Sequence, residues 1–118
     1  MIRVFSTCKK LGCLPLLHAE NGDLIDFLSK RLYFNGISGP EGHMHSRPEE
    51  VEAEAVHRAI TLADLVGCPL YVVHLTSKQA ADEIARARSR GVVVFGETTA
   101  AAIGRSFDVC VSVTLILK

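Results

Sequence analysis

The chain has 118 residues, of which 48% are hydrophobic, and it carries 13 Lys and Arg against 13 Asp and Glu. This length corresponds to one domain or a piece of one, and its apolar content is enough for a packed core, which excludes a disordered chain. The zero net charge and the 6% aromatic content favour neither nucleic acid nor a membrane as partner. No stretch approaches the roughly 20 apolar residues of a membrane span, and the N-terminus lacks a signal-peptide core, so we expect a cytoplasmic protein.

The four cysteines are scattered through the sequence without a CxxC pair: Cys8, Cys13, Cys68 and Cys110. This spacing fits neither a zinc ribbon nor a disulfide framework. We therefore expect reduced thiols, as in most cytosolic proteins.

The first predicted element is a helix over residues 1–11, with Val4 and Cys8 facing inward and Gly12 as its end. Because Met1 already falls inside this helical pattern, we expect the chain to begin partway through an element.

A strand is predicted next, from Cys13 to His18, although Pro15 is unusual in a central strand because it lacks a ladder donor. Asn21 can then cap a helix from Gly22 to about Phe34, which Asn35-Gly36 ends. The predicted apolar stripe of this helix consists of Leu24, Phe27, Leu28 and Leu32.

Residues 38–45 are rich in Gly and Pro and are predicted to form a loop. Ser46 and Glu49 fit a capping box, in which each side chain satisfies a free backbone donor. The helix that follows should run to about Val66, with Gly67 as its end. Its predicted inward face consists of Val51, Ala55, Ala59, Leu62 and Val66.

Residues 69–75 form a continuous apolar run, which is typical of a strand buried on both faces. A second capping box over residues 76–79 predicts another helix, and Val92 to Phe95 should form a third strand. The inward residues of this helix are predicted to be Ala80, Ile84 and Ala87, and Gly91 should end it. Strands and helices alternating at this spacing predict an α/β fold with a parallel sheet.

The sequence changes character after Gly104, which separates residues 1–104 from a divergent apolar tail at residues 105–118. Within this tail, Asp108 to Leu117 has an extended, strand-like pattern, and no helical crossover separates it from the preceding strand. We expect it to pair elsewhere or to act as an adhesive edge.

Two of the predicted strands end in a histidine, His18 and His74. Because the carboxyl ends of parallel strands share one edge of a sheet, both imidazoles could ligate one metal there. The alternative is a pair of strand-end histidines bonded to backbone carbonyls, and the sequence leaves both interpretations open. A catalytic metal normally takes three protein ligands, so these two form only part of a site.

The other polar candidates are weaker. Glu20 could support an imidazole from behind, and Asn21 is interpreted as a helix cap. His43 and His45 form an HxH pair in a loop, where strand alternation cannot put both rings on one face. His57 is expected to be solvated. Neither a phosphate-binding glycine pattern nor a GxSxG elbow occurs, so nucleotide binding and serine hydrolase chemistry have no support.

Several sequence blocks occur in an order that resembles the dihydropyrimidinase family, which includes hydantoinases and the non-catalytic collapsin response mediator proteins. The resemblance covers roughly residues 3–104. The blocks are His18–Asp23, Gly39–His43, Ser46–Ala55, Arg58–Thr61, Cys68–His74, Ser77-Lys78 and Gly96-Glu97.

This resemblance implies the central part, about strands 5 to 7, of a (β/α)8 TIM-like amidohydrolase barrel. The family holds two zinc ions with an HxH pair on the first strand, a carboxylated lysine on the fourth, single histidines on the fifth and sixth, and an aspartate on the eighth. His18 matches the fifth-strand histidine and His74 the sixth-strand one. The implied reaction opens small cyclic amides, dihydropyrimidines or hydantoins, to N-carbamoyl amino acids, as in pyrimidine catabolism, and the implied parent is a homotetramer.

The chain departs from the family in lacking the first-strand pair, the lysine and the aspartate, so it carries no complete catalytic set. A barrel takes about 250 residues, and the chain alone is expected to hold zinc weakly, to be inactive and to aggregate. The family's enzymes keep a histidine where this chain has His74. Two alternatives stay open: a non-catalytic partner of full-length homologues and, ranked last, a zinc module built from His18, His43 and His45.

Overall fold

The structure is a computed structural model that describes residues 1–104. The predicted extended segment from Asp108 to Leu117 lies outside the described residues. In the described part, helices separate the three strands, with three helices between the first and second strands and one between the second and third. In chain order they are α1 (Ile2–Leu11), β1 (Leu16–Leu17), α2 (Gly22–Phe34), α3 (Glu41–His45), α4 (Glu49–Val66), β2 (Leu70–Leu75), α5 (Lys78–Ser89), β3 (Val94–Thr98) and α6 (Ala100–Gly104).

The three strands form one parallel sheet in the order β1-β2-β3, which confirms the predicted α/β fold with parallel pairing. Tyr71 at the centre of the sheet is in register with Leu16 on one side and Phe95 on the other. Because every connection crosses over through a helix, all carboxyl ends of the strands lie at one edge of the sheet.

One face of the sheet is covered by helices and the other is open. Val56 and Ala59 of α4 belong to the same buried cluster as Leu70, Val72 and Val94 of the sheet. On the open face Leu16 is 67% exposed and Phe95 is 44% exposed. The predicted burial of β2 on both faces is therefore wrong for residues 1–104, since no described element covers the second face.

Helix α1 confirms the predicted position and, at Cys8, which packs against the core, the predicted inward face, but not at Val4. It ends at Gly12, whose φ of 66° is the left-handed conformation that glycine adopts most easily. Phe5 is 2% exposed, whereas Val4 is 58% exposed. The inward face thus contains Phe5 in place of Val4, and Phe5 joins the core that α4 shares with the sheet.

The predicted strand from Cys13 to His18 is reduced to two residues, Leu16 and Leu17. Pro15 lies just before it and contributes only its carbonyl, which accepts a hydrogen bond from the Tyr71 amide at 3.0 Å. The proline ring therefore interrupts no ladder donor within the strand itself.

Helix α2 begins as predicted, because the Asn21 side chain accepts a hydrogen bond from the Leu24 amide at 3.2 Å. Its predicted apolar stripe is half-buried at Leu28 and Leu32 and exposed at the other two residues. Leu24 is 42% exposed and Phe27 is 60% exposed.

The capping box predicted at Ser46 and Glu49 is wrong. Ser46 instead ends the short helix α3, which replaces the predicted loop, and its Oγ donates to the His43 carbonyl at 2.9 Å. Pro48 is the N-cap of α4. The Glu49 carboxylate accepts from the Gln79 amide at 3.1 Å, so it caps a different helix, α5.

The third strand is displaced along the chain, from the predicted residues 92–95 to Val94–Thr98. The inward residues of α5, in contrast, are those predicted: Ala80, Ile84 and Ala87 are all buried. Among residues 1–104, no helix combines the length and apolar character that crossing a membrane requires.

Candidate metal centre

The structure brings His18 and His74 together at the carboxyl edge of the sheet. His18 follows β1 directly and His74 is the fifth residue of the neighbouring strand β2. His18 Nδ1 lies 2.6 Å from His74 Nε2, and the ring centroids are 4.8 Å apart. His18 is exposed and His74 is half-buried, so the pair is accessible from solvent.

His74 reaches this position through an unusual backbone conformation. Its φ is 45°, the one positive value at a non-glycine residue in the described chain. The pairing of β2 with β3 is irregular between Val72 and Leu75, which marks a bulge around His74.

The bulge changes which face His74 occupies. Leu70 and Val72 are buried toward the helices, and strict alternation would place His74 on that same side. Instead Leu75 is buried and His74 is not. The bulge therefore turns the imidazole away from the helices and toward His18.

The chemistry of the two donors fits part of a metal site. A neutral imidazole offers one N–H and one lone pair, so the observed contact is a hydrogen bond in which one ring donates and the other accepts. Both facing nitrogens are of the donor type that zinc prefers, and a zinc ion would bind them in place of the proton that they share in this hydrogen bond. Within residues 1–104, no group of three or more His, Cys, Asp or Glu side chains is arranged to hold a metal.

The segment after His18 is fixed by contacts to its neighbours. Asn21 Nδ2 donates to Glu54 Oε2 of α4 at 2.7 Å, in addition to capping α2. Glu20, predicted to support an imidazole, instead forms an ion pair with Arg47, with 3.8 Å between Oε2 and Nε. Ala19, which lies between His18 and Glu20 in the sequence, is buried. These contacts hold the backbone that carries His18.

The segment after His74 is fixed by Glu52, which sequence reasoning did not select. Glu52 Oε2 accepts from the Ser77 amide at 2.7 Å, and Oε1 accepts from the Thr76 amide at 3.1 Å. The signal in the sequence is a Glu adjacent to Val51 on the inward side of α4, because a buried carboxylate is rare unless its oxygens are bonded.

His43 and His45 lie on α3 and are both exposed. Two residues along a helix correspond to a rotation of about 200°, so these side chains leave α3 in opposite directions. His57, predicted to be solvated, is indeed 63% exposed. Its Nδ1 nevertheless lies 2.9 Å from Glu83 Oε2, which links α4 to α5.

A second polar pair lies on the open face of the sheet. The Tyr71 hydroxyl donates to Glu97 Oε2 at 2.7 Å across β2 and β3. This hydrogen bond, followed by desolvation and by the negative charge of Glu97, raises the pKa of Tyr71 above its usual range.

The chain is similar to known proteins over most of its length. The chain is 55% identical to rat dihydropyrimidinase over 104 residues, which is 88% of this chain and 20% of that protein. It is 48% identical to mouse dihydropyrimidinase-related protein 5 over 99 residues, or 84% of this chain and 18% of that one. No family model matches.

Among solved structures, the D-hydantoinase of Bacillus sp. AR9 matches with a TM-score of 0.85 and 42% identity, covering 87% of this chain and 23% of that one. The chain thus spans about a fifth of the length of the relatives it matches. Its sequence is similar to dihydropyrimidinases, and its parallel α/β architecture is similar to that of D-hydantoinases, over the matched residues. The chain belongs to the dihydropyrimidinase and hydantoinase family.

Proposed function

We propose that this chain is the central part, about strands 5 to 7, of a (β/α)8 amidohydrolase barrel. The parallel order β1-β2-β3 with helices on one face supports this assignment, since barrel helices lie outside the strands. The open face carrying Leu16, Tyr71 and Phe95 then corresponds to the packed barrel interior, which the remaining strands would enclose.

His18 and His74 would hold zinc in this barrel, and the 2.6 Å approach of His18 Nδ1 to His74 Nε2 is the observation that carries the proposal. Bound zinc supplies a Lewis acid for the amide carbonyl and lowers the pKa of bound water. The chain's own residues orient the two imidazoles: the loop at Asn21 anchors the first and the bulged end of β2 turns the second toward it.

The substrate we propose is a small cyclic amide, a dihydropyrimidine or a hydantoin, opened to an N-carbamoyl amino acid. Support comes from the relatives, which are named dihydropyrimidinase and D-hydantoinase. Because the remaining ligands lie outside this chain, the chain alone should be inactive. We propose that the complete protein is a cytoplasmic homotetramer.

Calorimetric titration of the 118-residue chain with zinc measures the zinc affinity and tests the metal assignment. Replacing His18 or His74 by Ala should abolish binding, because a single imidazole holds zinc poorly. The matched control replaces His43 and His45 together, which removes two exposed histidines of another element. Binding lost in the control and kept without His18 would refute the assignment and favour a site on α3.

The mass of the native protein tests the proposed fragment. An antibody raised against the α4 sequence should detect a band several times the 12.8 kDa of this chain. A band at 12.8 kDa that co-purifies with a full-length homologue would instead identify a non-catalytic partner.

A further inference from the structure

Helix α4 carries one buried carboxylate, Glu52, at the carboxyl end of β2. Glu52 is 9% exposed. Its two oxygens accept hydrogen bonds from the amides of Thr76 and Ser77, at 3.1 Å and 2.7 Å, and Thr76 Oγ1 lies 3.5 Å from Oε1. Both amides belong to the turn that joins β2 to α5.

The negative charge of Glu52 is stabilised by backbone donors. Ion pairs within residues 1–104 involve other carboxylates, and none includes Glu52. The amides it binds lie at the N-terminus of α5, where the helix dipole favours negative charge. A buried carboxylate in this position is thus bonded at both oxygens without a cation.

We infer that Glu52 is a positioning residue for His74, because it fixes the backbone two and three residues beyond the imidazole. A non-glycine residue with φ of 45° persists only when its surroundings hold it there. On one side the β2 ladder fixes Val72. On the other side Glu52 fixes Thr76 and Ser77, so the strained His74 is held between two anchored segments.

A carboxylate is needed because both oxygens accept from backbone amides. In Glu52→Gln one oxygen is replaced by an NH₂ group. This group is a donor, so it cannot accept a hydrogen bond from a backbone amide N–H. The remaining oxygen, placed as Oε2, would keep the Ser77 amide and only the longer 3.3 Å contact to the Thr76 amide, so the 3.1 Å bond from Thr76 would be lost and the turn would be held less firmly. The side-chain volume stays almost unchanged, so the variant tests the hydrogen bonds rather than the packing.

The experiment is zinc titration of the 118-residue chain, and the inference rests on the proposed zinc site. Glu52→Gln should weaken zinc binding by about ten- to a hundredfold, as expected for residues that orient metal ligands. The matched control is Glu49→Gln, because Glu49 also caps α5, through the Gln79 amide, but lies farther from His74. Both variants should lower the melting temperature, and only Glu52→Gln should lower the zinc affinity.

Normal zinc affinity in Glu52→Gln, or an equal loss in Glu49→Gln, would overturn the inference and leave the zinc site standing. A wild-type chain whose affinity does not depend on His18 and His74 would overturn the proposed function together with it. If Glu52→Gln does not fold, hydrogen exchange of the backbone amides in the wild-type chain, with and without zinc, tests the inference instead. Zinc should slow exchange at Thr76 and Ser77, and unchanged exchange at both amides would count against the inference.

Discussion

Leu75 occupies the space that a side chain on Gly96 would need. A Cβ built on Gly96 would meet Leu75 Cδ1 and would lie 2.6 Å from Ile84 Cδ1. Leu75 reaches this place because the bulge at His74 returns it to the helix-covered side of the sheet, where it is 8% exposed. The geometry at the two histidines is therefore coupled to the glycine on the neighbouring strand.

Replacing Gly96 by Ala should destabilise the chain. Leu75 and Ile84 are both buried and would have to move, and overpacking of this kind costs about 1–3 kcal/mol. Urea unfolding followed by circular dichroism measures the change. Gly22→Ala is the control, because a Cβ there meets nothing within 4 Å and alanine favours the helix α2. Equal stability of Gly96→Ala and the wild type would show that Leu75 packs elsewhere.

The positive φ of His74 predicts an unusual order of two substitutions. At a residue in the left-handed region, Gly avoids a Cβ clash worth about 1–2 kcal/mol, so His74→Gly should be more stable than His74→Ala. At the preceding strand residue, Val73, the order should reverse, since Gly weakens an ordinary strand. Urea midpoints of the four variants test this. If the Ala variant were more stable than the Gly variant at both positions, the left-handed conformation of His74 would be excluded.

The sequence predicted helix α5 correctly, but not how its N-terminus is stabilised. The pattern at residues 76–79 suggested a local capping box, whereas the structure has Ser77 as the N-cap, accepting from the Ala80 amide at 3.2 Å. Glu49 and Glu52 supply the other acceptors from α4. They lie 30 and 25 residues from the amides they bind. Capping rules consider only residues within a few positions of the helix end, so they could not predict these contacts.

The candidate site was predicted in part for a similar reason. Two strands ending in His18 and His74 implied that the imidazoles share one edge of a parallel sheet, and they do. Alternation alone would place His74 on the same side as Val72, facing the helices. The bulge depends on pairing with β3, which the pattern of β2 does not reveal. Metal binding by the pair stays a prediction.

The Tyr71–Glu97 pair predicts a shift in an alkaline titration. Glu97 raises the pKa of Tyr71 because the hydrogen bond and the nearby negative charge favour the neutral phenol. Glu97→Gln should therefore lower the Tyr71 pKa toward its ordinary value of about 10. Ultraviolet absorbance measures this in a Tyr33→Phe background, which leaves Tyr71 as the single tyrosine.

The stability contribution of this pair has a defined pH window. Since the pKa of Tyr71 is raised in the folded chain, the contribution is complete below the ordinary tyrosine pKa and is lost as pH rises through the raised one. An identical titration midpoint with Gln at position 97 would show that the hydrogen bond does not form in solution.

The contact between His57 of α4 and Glu83 of α5 predicts that the chain loses stability in acid. Burial raises the pKa of Glu83, but hydrogen bonds from His57 and Arg86 outweigh burial and lower it. The contribution of Glu83 is therefore present above the ordinary glutamate pKa and is lost as pH falls through the lowered one. Glu83→Gln should destabilise the chain by about 0.2–1 kcal/mol near neutral pH, and urea unfolding at decreasing pH should show the difference vanish. A difference independent of pH would assign the effect to packing.

The open face of the sheet predicts how the isolated chain behaves. Leu16 is 67% exposed on an edge strand, where unpaired backbone groups and apolar side chains promote association. A lysine on such an edge opposes association by repulsion, so Leu16→Lys should raise the fraction of chain that stays soluble after centrifugation. Leu65→Lys is the control, because Leu65 is 77% exposed but lies on α4, away from the sheet. If both lysines raised solubility equally, the sheet face would have no special part in aggregation, and the open face would not behave as the interior of an incomplete barrel.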